Sequence, residues 1–497
     1  MKAKNQITVN VMAPLLVGDP RDLFSASSQE AWRKFKRHLK EMSRLGVEAV
    51  TTDLWWGLIE TAPGVFDWTY YDKLAKTIIE AGLEWIPILS FHRCGGNIGD
   101  TVHVPINNWV WNELKQITLV KDVRDLKFVS EQDNTSDEFI SFWMTRHALP
   151  LYERVMRAFQ AHYAKLADHI AEINVSLGPA GELRYPSYNS HDDGTDYPAR
   201  GALQCYSQPA YESFFVWALG KYGNVHGLDR AWGTNIAGGQ EVRPPSNPAE
   251  FYQRGDHWDI QYGRDFFEWY SSSLIDHGRL MLRLALSVFG ADDSPLAGID
   301  IGAKVPGVHW RTGKREGDRV VLGDRLAELA AGLLRTGIND WDHDDQGRGY
   351  RPLIKLLAEL QDNPNTRVVL HFTCLEMPDG EGGPEANSVA RTLVTWVGAE
   401  ADRQGVPVKG ENAVWWNLPL HNAWRLMRSH LAVPSQEEHY EGLTILRMGN
   451  VAENDVANEE MARTIAFAKS RDALAEMPDN RSTPNLPGPD MGLLATA

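Results

Sequence analysis

Cysteine is scarce: Cys94, Cys205 and Cys374 are the three in 497 residues, an odd number with no CxxC pair and no Cys/His spacing suited to zinc. A disulfide framework and a structural zinc site are thereby excluded as the basis of the fold, and neither a metal nor a cofactor is expected. Positive charge is in deficit, 50 Lys and Arg against 66 Asp and Glu for a net charge of −16, which argues against nucleic acid or an anionic membrane as partner. A long apolar run is missing as well. Residues 1–6 are short and polar and lead at once into a strand-like segment, so no signal-peptide core or membrane span is read, and the expected location is cytoplasmic.

What is present is an ordinary globular composition, 43% hydrophobic and 23% charged, with 18 Trp and 15 Tyr that can fill a core or stack on the C–H faces of sugars. No internal repeat is evident. From about Met477 the chain turns to Asn, Pro, Gly and Ser, with Pro484, Pro487 and Pro489 breaking any helix. The expected organisation is one domain over residues 1–476 and a loosely ordered tail over 477–497, too short for a separate binding module. A monomer is expected.

Apolar, β-branched runs recur between helical patterns at 7–12, 47–53, 85–91, 173–177, 297–303, 367–373, 407–410 and 442–446. Trp32, Phe35, Leu39 and Met42 form a helical stripe stopped by Gly46, and a second helix around 71–81 ends at Gly82. Eight strands alternating with helices predict an α/β fold of parallel βαβ units, a single-domain (β/α)8 TIM barrel with long loop excursions after the strands. A doubly wound sheet is the rival. The longest interval, between residues 182 and 297, must hold extra helices, including a continuous one over 261–289.

Polar residues fall at the strand ends. Asp53 ends strand two, His92 follows strand three and Glu182 follows strand four; Lys304 and His309 follow strand five, Thr373 ends strand six, Glu411 follows strand seven and Arg447 follows strand eight. In a barrel all converge at one mouth. Any one of them alone is ordinarily a solvated or capping residue, but two carboxylic acids across a pocket can cleave an acetal, one protonating the leaving oxygen while the other activates water or attacks the anomeric carbon. Strand position does not choose between inversion and retention. Retaining barrel glycosidases commonly carry Asn before the strand-four Glu, whereas Gly181 stands here.

Six blocks decide the comparison: Asp53-Leu54-Trp55-Trp56-Gly57, Phe91-His92-Arg93-Cys94-Gly95-Gly96-Asn97-Ile98-Gly99-Asp100, the segment from Gly178-Pro179-Ala180-Gly181-Glu182 to Tyr188, Gly302-Ala303-Lys304 with Gly307-Val308-His309-Trp310, Phe372-Thr373-Cys374-Leu375-Glu376-Met377, and Gly410-Glu411-Asn412-Ala413. In these the chain resembles the β-amylases, family 14 of the glycoside hydrolases, across nearly its whole length. The resemblance implies exo-acting, inverting hydrolysis of α-1,4-glucans such as starch, with β-maltose released from non-reducing ends, Glu182 as general acid and Glu411 as general base. It further implies that Asp53, His92 and Asp100 hold the non-reducing sugar, that Lys304 and His309 contact the reducing side, that Thr373 positions the base or the water, and that Asn412 and Arg447 support base and sugar.

On physical grounds an acid must keep its proton, which calls for burial or a negative neighbour, and a base must stay ionised, which Lys304 or Arg447 nearby would favour. The glycines of 95–99 permit unusual backbone angles and suit a lid that carries Asp100 onto a bound chain end. The chain departs from the family in Arg93, in the bulky Trp415-Trp416 after the base, and in an acidic excursion over 340–348. The calcium site of some bacterial relatives is not expected, since Glu60 persists but Gly64 stands in the region of a second carboxylate. Cys94 and Cys374 are read as packing residues. The competing functions are a glucan sensor without catalysis and a retaining barrel glycosidase.

Overall fold

Eight short runs rich in β-branched and apolar residues become strands because extended backbone suits their stiff side chains and both faces find cover. They are β1 Thr8–Met12, β2 Ala49–Trp55, β3 Glu84–Ser90, β4 Glu172–Val175, β5 Asp300–Lys304, β6 Val368–Phe372, β7 Val408–Glu411 and β8 Gly442–Ile445. Pairing is parallel throughout, with registers such as Val11↔Val50, Ile88↔Asn174, Leu370↔Ala303 and Glu411↔Thr444. β1 pairs with both β2 and β8, so the sheet closes into an eight-stranded barrel and the doubly wound alternative falls.

The computed structural model describes residues 7–96, 100–187, 191–193, 201–309, 313–316, 319–322, 330–333, 350–380, 388–431 and 440–470. The tip of the expected lid at 97–99, Tyr188, Trp310, the 340–348 excursion and the 477–497 tail lie outside them.

All eight expected strands are present, with ends shifted by a few residues. The fifth begins at Asp300 rather than 297 because Gly298 adopts a left-handed φ of 90° that ends the preceding turn. Glu172 and Glu411 join strands expected to exclude them, since ladder hydrogen bonding tolerates a charged side chain that finds a partner.

A helix follows each strand: α1 Ala26–Leu45, α2 Thr69–Glu80, α3 Thr145–Tyr163, α4 Gln261–Phe289, α5 Tyr350–Glu359, α6 Ala390–Arg403, α7 His421–His430 and α8 Asp455–Lys469. In α1, Ser25 caps the N-terminus by accepting from Ser28 N–H, Gly46 closes the C-terminus at φ 90°, and Trp32, Phe35, Leu39 and Met42 are buried against the barrel. Truncating Phe35 to alanine there should cost about 3–5 kcal/mol. The long interval after β4 holds helices Gln208–Tyr222, Val225–Trp232 and Pro248–Gln253 before α4. No described helix is long and apolar enough to cross a membrane.

Candidate active site

Glu411 closes β7 and is buried, and a lysine and a histidine reach the same carboxylate oxygen. Lys304, the last residue of β5, donates its Nζ to Oε1, and Nδ1 of His371 on β6 lies 3.3 Å from that oxygen. Burial by itself would push this carboxyl up, but Lys304 and His371 more than offset it and bring Glu411 down to about 2. The group is therefore ionised at any ordinary working pH. Arg447, the other cation expected beside it, instead donates to the Ala13 carbonyl at 2.9 Å, and its charge acts on Asp53.

Glu182 follows β4 through a single tight turn, Pro179–Gly181, in which Gly181 N–H bonds the Gly178 carbonyl at 3.0 Å. The next residue, Leu183, donates its N–H to the Lys304 carbonyl at 2.9 Å, so the backbone carrying one glutamate is fastened to the residue that grips the other. The carboxylate of Glu182 accepts from Arg184 Nε at 2.9 Å, with 26% of its side chain exposed. These surroundings differ from the deep burial or adjacent negative charge expected for the acid. The chain turns Arg184 back along Leu183, two residues on, and a guanidinium fills the place.

Asp53 and His92 complete the wall. Asp53 accepts from Ser90 Oγ at 2.9 Å, and burial raises its carboxyl against the pull of Arg447, Ser90 and Lys304. His92 shares a 2.8 Å hydrogen bond with Ser176 Oγ, and burial aided by Arg184 and Lys304 lowers it to about 3, leaving a neutral imidazole able to bind a hydroxyl. Asp100 accepts the Gly95 N–H at 2.8 Å across a loop whose arms pair at Cys94 and Val104, with Gly95 and Gly96 at φ 113° and 106°. Its charge reaches Asp53 and Cys94. The buried Cys94 thiol is pushed up to about 12, first by burial and then by those carboxylates, which suits an inert packing group.

His309 and Thr373 sit on the β5–β6 rim. His309 pairs with Ser388 Oγ at 2.8 Å, and Thr373 packs beside Gly307. Asn412 spends its amide on main chain, donating to the Leu446 carbonyl at 3.0 Å and accepting from Leu446 N–H at 2.8 Å, so it fixes the end of β7 to the end of β8. Glu376 does similar service, accepting from Ala413 and Val414 N–H at 2.8–3.0 Å and shaping the loop after Glu411.

Sequence reasoning assigned no role to Glu376, Arg184, His371, Glu172 or Lys409. The last three offered a signal in charged residues alternating within strand-like runs, which a barrel turns inward in pairs.

The chain matches the glycosyl hydrolase family 14 profile over residues 16–471. It is 34% identical to the thermophilic beta-amylase of Thermoanaerobacterium thermosulfurigenes, over 85% of this chain and 68% of that protein. It is also 34% identical to the chloroplastic beta-amylase 1 of Oryza sativa subsp. japonica, over 90% of this chain and 77% of that one. The crystal structure of the catalytic domain of beta-amylase from Paenibacillus polymyxa superposes with a TM-score of 0.74 at 30% identity, covering 94% of this chain and 99% of that domain. The chain belongs to glycosyl hydrolase family 14.

Within this family 14 scaffold the chain's own departures can be placed. Arg93 faces Asp137, Nε to Oδ1 3.4 Å. Trp415 and Trp416 stand edge to face, centroids 5.9 Å apart, with Trp415 half exposed on the loop after β7. Glu60, named in connection with calcium, gives its oxygens to Trp56 Nε1 at 2.7 Å, Gly64 N–H at 2.8 Å and Arg154 Nε at 2.7 Å, and Arg154 also pairs with Glu113. An arginine is thus the cation that this carboxylate holds.

Proposed function

We propose that Glu411 and Glu182 are the base and the acid with which this chain cleaves its substrate by inversion. Membership of family 14 makes it a glycoside hydrolase that releases maltose from α-1,4-glucans. The observation that carries the division of labour is the hold of Lys304 and His371 together on Glu411 Oε1, against the single, partly buried contact of Glu182 with Arg184. A carboxylate held ionised can take a proton from water. One whose side chain is 26% exposed can be altered by a ligand.

In this reading Glu411 draws a proton from a water that attacks the anomeric carbon, while Glu182 gives its proton to the departing glycosidic oxygen. Glu182 needs that proton at the moment of cleavage. A bound glucan covers its exposed face and excludes bulk water from the transfer. Asp53, His92 and Asp100 hold the hydroxyls of the terminal sugar, so that cleavage proceeds from the non-reducing end. Lys304 and His309 contact the reducing side, Thr373 helps to place the water, and Arg447 supports the terminal sugar through Asp53. Asn412 acts on the base through the backbone alone. The enzyme is read as a cytoplasmic monomer with no nucleic-acid or membrane partner; buried free thiols suit a reducing compartment, and gel filtration with cell fractionation would test this.

Maltopentaose or soluble starch followed by NMR at early times tests the mechanism. Maltose appearing first in the β configuration is the expected product. Initial α-maltose would mean retention, a spread of longer oligomers would mean an endo-acting cleft, and tight binding without products would mean a sensor.

A further inference from the structure

Beneath the catalytic level the barrel interior carries charge that bond cleavage does not use directly. Glu172 on β4, His371 on β6 and Lys409 on β7 point inward at 0%, 4% and 8% exposure, where barrels are ordinarily filled by branched apolar side chains. Glu172 is the hub. One oxygen meets His371 Nε2 at 2.5 Å and Asn174 Nδ2 at 2.9 Å, and the other meets Lys409 Nζ at 2.6 Å.

Space for this cluster is built into neighbouring strands. A Cβ on Gly302 of β5 would lie 2.6 Å from both Glu172 Oε1 and Asn174 Oδ1, and one on Gly442 of β8 would lie 3.1 Å from the stem of Lys409. Two strands forgo a side chain where the charged ones run.

The imidazole of His371 has a carboxylate oxygen on each side, Glu172 at Nε2 and Glu411 at Nδ1, the latter contact ionic rather than a well-aligned hydrogen bond. A neutral imidazole has a single N–H and would turn a lone pair on one of them, whereas an imidazolium offers N–H to both. The surrounding charges agree. Glu172 and Asn174 from β4, Lys304 from β5, and Lys409 and Glu411 from β7 face the ring or its partners, and beyond Lys409 lie Asp300 and Glu441 with Arg367 between them. Four carboxylates there meet three fixed cations, Lys304, Lys409 and Arg367, and the imidazolium supplies the fourth.

We propose that His371, kept protonated by Glu172, is a positioning residue for the base: with Lys304 it ties Oε1 of Glu411 and leaves Oε2 to the attacking water. The proposal rests on Glu411 being the base. The buried relay Lys409–Glu172–His371–Glu411 then sets how far down the pH scale the enzyme keeps an ionised base, and it orients that base from below, out of reach of substrate.

The test compares pH profiles of kcat and kcat/KM for the wild type and His371→Asn, with folding checked by circular dichroism at each pH. In the variant the acid limb should move to higher pH by about one unit or more, so that the ratio of variant to wild-type activity falls progressively as pH drops toward that limb. KM should change little, because the residue lies below the sugar. A loss equal at all pH values, or an unmoved limb, overturns the proposal. Should the variant fail to fold, histidine-15N NMR of the wild type decides. A His371 imidazolium signal, assigned by its absence from His371→Asn or Glu172→Gln, is expected to persist at pH 7.5 in the wild type, whereas burial holds His92, His257, His277 and His430 neutral. Absence of that signal in the wild type overturns the relay. Failure of the underlying reading looks different: full activity in Glu411→Gln would remove the base assignment, whereas an inactive Glu411→Gln beside an unmoved His371→Asn limb removes the relay alone.

Discussion

The two glutamates occupy opposite kinds of site. Glu411 is part of a strand, buried, with two cations on one oxygen and a carboxylate–lysine pair behind one of them. Glu182 is on a loop after its strand, partly exposed, with one arginine from two residues away. On the proposed assignment the base is finished before substrate arrives. The acid is not, and a ligand must complete it. That asymmetry suits an enzyme in which a premature proton on the base would stop the reaction, while the proton on the acid matters only once a glycosidic oxygen is present to receive it.

The strongest way to break the comparison is to remove its finished half. Glu411→Gln keeps the shape but cannot take a proton, and hydrolysis of starch should fall on the order of 10³-fold while glucan binding measured by calorimetry persists. A lowered Tm should accompany it, because Lys304 and His371 are left beside a neutral amide. Retained turnover would end the assignment.

Glu182→Gln should lose on the order of 10²–10³-fold on natural glucans, with the deficit shrinking on an aryl glycoside whose leaving group needs no proton. An equal loss on both substrates would point to another acid. Lys304→Met comes next, at about tenfold to a hundredfold in kcat/KM, because His371 alone then holds the base. Its acid limb should shift upward, and KM should rise if Lys304 also meets sugar. Glu376→Gln is milder still. It weakens three bonds to the loop after Glu411 at a cost of about 1–3 kcal/mol, which differential scanning calorimetry would register as a lower Tm with kcat reduced less than tenfold.

The same asymmetry explains what could be read from the chain alone. The eight strands were legible because each is a β-branched run between helical stripes, and the residues of the mouth were legible because a barrel gathers strand ends. The partners that tune them were not. Arg184 looks like one more loop cation, and only the local turn in which its N–H meets the Glu182 carbonyl at 2.9 Å brings its guanidinium onto Glu182. Glu172, His371 and Lys409 lie about 200 or more residues from one another or in neighbouring strands, and their meeting depends on the radial order of β4, β6 and β7 and on vacancies at Gly302 and Gly442. Periodicity reports which face a residue takes, whereas pairing across a barrel needs closure and register as well.

The histidines sharpen the comparison with the smallest expected effect. On the β3–β4 side, His92 and His277 are lowered to about 3 by burial, His277 being held between Thr145 Oγ1 and the Leu177 carbonyl. On the β6–β7 side, His371 is raised: burial alone would lower it, but Glu172 and Glu411 prevail. The signs oppose. A lowered histidine takes up its proton at about 6.5 in the unfolded chain but at about 3 in the folded one, so its contribution is full above pH 6.5 and is lost as pH falls toward 3. His371 contributes fully below pH 6.5 and loses that contribution as pH rises through its folded value. Glu411 adds a further loss as pH falls from 4.5 toward 2. Thermal unfolding should therefore show Tm falling steadily from pH 6.5 to pH 4, since lowered histidines outnumber the raised one among the described residues. His92→Asn should flatten that slope by removing one proton-uptake site. His371→Asn should leave that slope little changed and instead make the fall in Tm above pH 6.5 shallower, because it deletes a group whose contribution is full below pH 6.5 and lost above it. If His371→Asn flattened the acid slope as His92→Asn does, the two sides of the barrel mouth would not hold their histidines in opposite charge states.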